Sequence, residues 1–356
     1  MSDGDPRPPG PQTFRDLTGD EQSRRIADLA RRALHRWGLQ DAGLSLLKYR
    51  ENAVFAVTGE DGERFALRVH RPGYRTDAHI RSEVQWMQAL ASAGVRTPEV
   101  VPTLDGEVVA TAGAQGVPEP RQCDLFRWVD GEQLGRLEDG VQGDAAAVAE
   151  VYRVIGRLAA VVHDHGAAWK KPEGFSRPAW DADALVGDDP TFGRFWELDC
   201  LEDAQRTRLL ETRDRVRTQL ALLGKGDDRY GLLHGDFLPE NVLVADGEPR
   251  LIDFDDCGDG WYAFELATGL FPLVVQGNAA GPGRAYVEGY REVRALAEEP
   301  LELLPTLLMA RALSYLGWPV GRPEMAEARQ LAPAIAAIVT GLAERYLAGE
   351  PLGLVD

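Results

Sequence analysis

A chain of 356 residues exceeds the usual span of one hydrophobic core, which favours two lobes or two domains. With 44% hydrophobic and 27% charged residues it is an ordinary globular composition, which excludes wholesale disorder. The formal charge of −18, from 57 acidic against 39 basic residues, excludes nucleic acid and anionic membrane as partners, since both need a basic surface; a cationic ligand is permitted.

Met1 to Gln12 is rich in Pro and Gly and lacks the apolar run of a signal or transit peptide, so residues 1–19 read as a disordered tail. Asp20 to Trp37 reads as a helix, with Ile26, Leu29, Ala30, Ala33 and Leu34 on one face and Gly38 as its stop. Leu44 to Tyr49, Ala53 to Thr58 and Arg64 to His70 are strand candidates. The last two are joined by Gly59-Glu60-Asp61-Gly62, a hairpin signal that implies an antiparallel sheet. Ala78 to Ala93 has Ile80, Val84, Met87 and Ala91 at helical spacing, followed by Gly94 and Pro98. Strands at Glu107 to Thr111 and Cys123 to Val129 complete an N-terminal lobe spanning residues 20–129.

From about Gly143 the chain turns helical, with Val148, Val151, Ile155, Leu158 and Val162 on one stripe. Trp169 to Leu201, broken by Pro172, Gly174, Pro178 and Pro190, reads as an irregular insertion. A helix over Arg206 to Leu223 leads into apolar Tyr230 to Leu233. Beyond Trp261 the pattern is helical, interrupted at Gly277 to Gly283 and by Pro300, Pro319 and Pro323. No segment reaches the length of a membrane span without charge; the richest, Leu301 to Trp318, contains Glu302, Pro305 and Arg311. Cys123, Cys200 and Cys257 form no CxxC pair, and their odd number points to a reducing cytoplasm. The order is an α+β pattern of two lobes: a small antiparallel-sheet lobe with one helix, then a large mainly helical lobe over residues 130–356.

The chemistry concentrates in His234-Gly235-Asp236-Phe237-Leu238-Pro239-Glu240-Asn241 and, after an apolar segment with one turn, Ile252-Asp253-Phe254-Asp255-Asp256. A loop carboxylate, an amide five residues on and a second carboxylate twelve residues beyond follow the spacing of a kinase catalytic loop and its metal-binding strand end. Asp236 is then the base, and Asn241 and Asp253 the ligands of a divalent cation. Phosphoryl transfer needs these types because charge develops on phosphate oxygens that cations neutralise, and Mg²⁺ prefers hard oxygen ligands. Asp246-Gly247 between apolar runs is a hairpin signal that would fold Asp253 back toward Asn241. The alternative is that these are turn residues and a solvated acidic loop. Three polar residues at the required offsets around a hairpin favour the first reading.

The run from Leu233 to Leu266 resembles the motif of the aminoglycoside phosphotransferase, choline kinase and type II homoserine kinase superfamily, and the resemblance extends over roughly residues 40–320. It implies a bilobal protein-kinase-like fold. It also implies transfer of the γ-phosphate of ATP, or of GTP, with Mg²⁺, to the hydroxyl of a small molecule such as an aminoglycoside, a choline-like amine or a homoserine-like amino alcohol. Carried over, Asp236 accepts the acceptor's proton, Asn241 and Asp253 hold the metal, and His234 holds the loop. Glu265 stands where the family has an aspartate that accepts hydrogen bonds from the catalytic loop. Asp255 and Asp256 exceed what the metal requires, and contact with a cationic substrate, tuning of the metal and plain solvent exposure are all open to them.

In Phe65-Ala66-Leu67-Arg68-Val69, Arg68 takes the place of the family's phosphate-contacting lysine, with Glu83 as its expected ion-pair partner. A guanidinium binds phosphate too, but its fork is larger and differently aimed than an ammonium. Two other readings share the motif. One is a nucleotide-binding pseudokinase or regulatory module in which Arg68 marks lost chemistry. The other is a Ser/Thr protein kinase, against which the missing Ala-Pro-Glu segment after Asp253 counts. The oligomeric state is not legible.

Overall fold

Thr18 opens the first helix: its Oγ1 accepts the N–H of Glu21 at 3.3 Å, capping α1 (Gly19–Leu34). In this computed structural model residues 14, 17–50, 52–136, 139–323 and 325–354 are described. Of the expected tail, residues 1–13, 15 and 16 lie outside them. The face assigned from sequence, Ile26, Leu29, Ala30, Ala33 and Leu34, is buried throughout, and Gly38 closes the helical segment at φ +71°.

The chain continues through β1 (Gly43–Tyr49), β2 (Ala53–Thr58), β3 (Arg64–Val69), α2 (Asp77–Ser92), β4 (Ala110–Ala112) and β5 (Arg121–Arg127). These strands form one antiparallel sheet in the order β1-β2-β3-β5-β4. The face of α1 packs into a core with Phe55, Val57, Phe65, Leu67, Val69, Cys123 and Leu125, inward residues at the two-residue period of a half-buried sheet. The strand expected over Glu107 to Thr111 begins later. Glu107 closes a turn in which its carbonyl accepts the N–H of Thr103 at 2.8 Å and its own N–H reaches Thr103 Oγ1 at 2.9 Å.

Two compact units emerge, one of residues 1–77, 99–128 and 324–326, the other of residues 78–98, 129–323 and 327–356. Helix α2 thus belongs to the second, although in sequence it interrupts the first. The second unit holds β6 (Glu132–Gln133), α3 (Ala145–Ala168), β7 (Ala179–Trp180), α4 (Ala182–Val186), α5 (Asp203–Leu223), β8 (Tyr230–Leu233), β9 (Val242–Ala245), β10 (Glu248–Leu251), β11 (Gly258–Trp261), α6 (Tyr262–Gln276), α7 (Ala280–Arg291), α8 (Glu298–Glu302), α9 (Leu304–Gly317) and α10 (Ala326–Ala348). Two three-stranded sheets, β10-β9-β6 and β7-β11-β8, carry the loops that matter below. Asp246 at φ +56° and Gly247 at φ +77° make the two-residue turn between β9 and β10, both in the conformation a tight hairpin requires.

The insertion read over Trp169 to Leu201 does hold little regular structure, the two-residue β7, which pairs parallel with β11, and the five-residue α4. Two expectations need correction. The interruption at Gly277 to Gly283 is shorter, because α7 begins at Ala280 and takes Pro282 into its first turn, where a missing N–H costs nothing. Among the described residues the helix long and apolar enough to cross a membrane, by length and composition, is Glu327–Ala348 and not Leu301 to Trp318. Its buried residues Ala328, Ala332, Ile335, Ala336, Val339, Leu342, Ala343 and Tyr346 recur on one face, as in a helix packed on a core.

Candidate active site

Strand β8 feeds directly into the loop from His234 to Asn241, and its pairing with β11 sets that loop against the acidic run preceding β11. Gly235 adopts φ +87°, and a Cβ there would collide with the carbonyl of Asp256, so the turn requires glycine. Glu265, on α6 and fully buried, grips the loop. Its Oε2 accepts the N–H of His234 at 2.8 Å and its Oε1 that of Gly235 at 3.0 Å. His163 of α3 places Nε2 3.5 Å from the same Oε2 and Nδ1 2.9 Å from the Tyr290 hydroxyl. Burial pushes Glu265 up, but His163 and the backbone N–H groups outweigh it and hold the carboxyl below its ordinary range.

His234 works as a strut. Its Nε2 lies 3.0 Å from the Ile252 carbonyl and its Nδ1 accepts the N–H of Asp236 at 3.3 Å, the pattern of a neutral imidazole; burial pushes its pKa down, in keeping with that form. The ring therefore ties the loop to the residue just before Asp253. Phe254 packs edge-on between His234, with centroids 4.7 Å apart, and Trp86 of α2 at 5.7 Å.

Asp236 is held at both oxygens. Asn241 Nδ2 donates to Oδ2 at 3.0 Å and to the Asp236 carbonyl at 2.8 Å, while Arg311 of α9 donates from Nη2 to Oδ1 at 3.2 Å. Burial pushes this carboxyl up to about 8 against the pull of Arg311, with Asp256, Asp253 and Glu240 adding repulsion. The backbone carbonyl of Asn241 accepts the N–H of Ile252 at 2.9 Å, so the hairpin brings the neighbour of Asp253 onto Asn241. Asp253 sits at φ +64°, a left-handed conformation that a non-glycine residue holds at a cost.

With Nδ2 spent on Asp236, the amide oxygen of Asn241 is the atom that could meet a cation, and the Asp253 carboxylate is the other candidate donor. Among the described residues no group of three or more His, Cys, Asp or Glu side chains could hold a metal. A two-donor set suits an ion whose remaining ligands are waters and phosphate oxygens.

Arg177 and Trp180, which the sequence did not single out, hold the acidic run of the second unit. Arg177, from the stretch before β7, donates from Nε to the Cys257 carbonyl at 2.7 Å, and from Nη2 to the carbonyls of Phe254, at 3.3 Å, and Asp255. Its Nη1 reaches the His79 carbonyl at 3.1 Å and lies 3.6 Å from Glu83, which is buried on α2. Trp180 Nε1 donates to the Asp256 carbonyl at 2.6 Å. Asp255 is buried at 5% exposure. Trp261 and Tyr262 are core residues, the former donating to the Gly224 carbonyl at 2.6 Å.

Arg68 lies in the other unit. It donates from Nε to Asp124 Oδ1 at 3.1 Å and from Nη2 to Oδ2 at 2.7 Å, and Asp124 is fully buried. Arg68 and Glu83, the expected pair, fall in different units; within its own unit Arg68 meets Asp124, and Glu83 lies near Arg177.

Residues 45–301 match the phosphotransferase enzyme family, and the chain belongs to that family. It is a kinase-type phosphotransferase of small-molecule alcohols with the protein-kinase-like α+β fold. A solved structure of a microcompartment-associated aminopropanol kinase is similar at a TM-score of 0.81 and 31% identity, over 92% of this chain and 99% of that one. An uncharacterized protein of Deinococcus radiodurans is 31% identical over 297 residues, 80% of this chain and 79% of that protein. The amicoumacin kinase of Bacillus subtilis is 22% identical over 295 residues, 80% and 82% of the two chains.

Proposed function

We propose that the chain transfers the γ-phosphoryl group of ATP, together with Mg²⁺, to the hydroxyl of a short amino alcohol, and that Asp236 is the base. One observation carries this reading: a carboxylate fixed between Asn241 and Arg311, with Ile252, the residue before Asp253, hydrogen-bonded to the Asn241 carbonyl. In the step, the acceptor hydroxyl gives its proton to Asp236 as its oxygen bonds to the γ-phosphorus, and the bond from that phosphorus to the ADP oxygen breaks. Asn241 and Asp253 would hold the Mg²⁺, which supplies positive charge against the phosphate oxygens. Arg311 and Asn241 keep the base in one orientation, so little reorganisation accompanies the transfer.

The amino-alcohol assignment draws on the likeness to an aminopropanol kinase and on the acidic balance of the chain, which accommodates an ammonium group. A reducing compartment such as the cytoplasm suits the three cysteines, all free. The test is ADP release by the purified protein with ATP or GTP and a panel of amino alcohols, choline, homoserine and aminoglycosides, with the phosphate ester identified by phosphorus NMR. Release that depends on an amino alcohol and yields its phosphate ester is expected. Release indifferent to every acceptor, or label found only in polypeptide, would contradict the assignment.

A further inference from the structure

Arg68 of β3 and Asp124 of β5 are direct cross-strand partners in the antiparallel sheet. Such neighbours face the same side within reach of each other, so an opposite-charge pair forms without any loop having to order. The geometry is a fork on a carboxylate, through Nε at 3.1 Å and Nη2 at 2.7 Å. Two residues along each strand the same face recurs. His70 brings Nε2 to 3.1 Å from Asp124 Oδ2, and Phe126 lies with its ring centroid 5.2 Å from the guanidinium carbon. Asp124 is fully buried, and the charge of Arg68 together with His70 outweighs the burial that would raise it, holding the carboxyl far below its ordinary range.

We propose that Asp124 is a positioning residue for the nucleotide phosphates: it fixes the guanidinium of Arg68 against the sheet, so that an arginine can serve where the family has a lysine. This rests on the kinase reading, which puts Arg68 at the phosphates. A guanidinium has five N–H donors, and the fork uses two on one edge, which fixes the plane and direction of the rest. An ammonium has no such fork and could meet Asp124 only as a point charge. The pair therefore explains why the residue is arginine: the carboxylate across the sheet selects a planar bidentate donor.

Affinity for a non-hydrolysable ATP analogue with Mg²⁺, measured by calorimetry on the parent, Asp124→Asn, Arg68→Lys and the double variant, tests the proposal. Thermal unfolding run alongside separates loss of fold from loss of position. Each single variant should weaken the nucleotide by about tenfold or more, as expected for a lost charge-assisted contact, and the double variant should bind no worse than either single one. The KM for ATP should rise more than kcat falls. A parental affinity in folded Asp124→Asn, or losses that multiply in the double variant, would overturn the role of Asp124. Should Asp124→Asn fail to fold, a parental affinity in Arg68→Lys would overturn it equally. A parent that binds no nucleotide would sink the kinase reading as well.

Discussion

Two buried neutral imidazoles brace the loop from His234 to Asn241, and this gives the fold a pH dependence. His163 and His234 are pushed below the ordinary histidine value of 6.5 by burial, and the carboxylate of Glu265 recovers only part of that. In the unfolded chain both titrate near 6.5, so below that value the unfolded state binds more protons and stability falls with pH. Glu265, held below its ordinary 4.5, acts in the same direction further down, its contribution lost as pH drops through its folded value. The Asp236 carboxyl, pushed up to about 8, acts the other way and favours the fold as pH drops through that value, so stability should rise from pH 8 to 7 and decline from about 6.5 downward, where the two imidazoles together outweigh it. His163→Gln, which cannot titrate, should reduce that slope in denaturant unfolding series. A variant with an unchanged slope would show that His163 is not responsible.

At the scale of elements, the segment before β7 decides how the acidic run is held. Arg177 spends its guanidinium on the carbonyls of His79, Phe254, Asp255 and Cys257, and so fastens the start of α2 to the turn that presents Asp253. Arg177→Met should cost about 3 kcal/mol, because several buried acceptors and Glu83 lose a charged partner at once. Arg177→Lys should recover part of it. Urea midpoints read this directly, and a methionine variant unfolding at the parental midpoint would refute it. The arginine was not legible in the sequence because carbonyl acceptors leave no mark on residue types. β11 escaped for a related reason. Gly258-Asp259-Gly260-Trp261 has the composition of a loop, yet a Cβ at Gly258 would collide with the Pro178 carbonyl of the adjoining strand segment. What was legible rests on local rules: the apolar face of α1, the hairpin of Asp246 and Gly247, and the proximity of Asn241 to Asp236. Asp124 and His163 needed the third dimension, since their partners lie 56 and 102 residues away.

For the whole molecule, a chain of net charge −18 is asked to bind a polyanionic nucleotide, so cations must be placed locally where the bulk field repels. In the proposed assignment Arg68 would meet the phosphates, Asn241 and Asp253 would hold a divalent cation, and Asp236 would take the proton. The measurement that bears most directly on this account is single-turnover phosphoryl transfer by Asp236→Asn at saturating nucleotide and acceptor. Because the amide keeps the shape but cannot take the proton, transfer should slow by about 10² to 10⁴ while nucleotide affinity stays near parental. Transfer at the parental rate would contradict the assignment of Asp236 as the base.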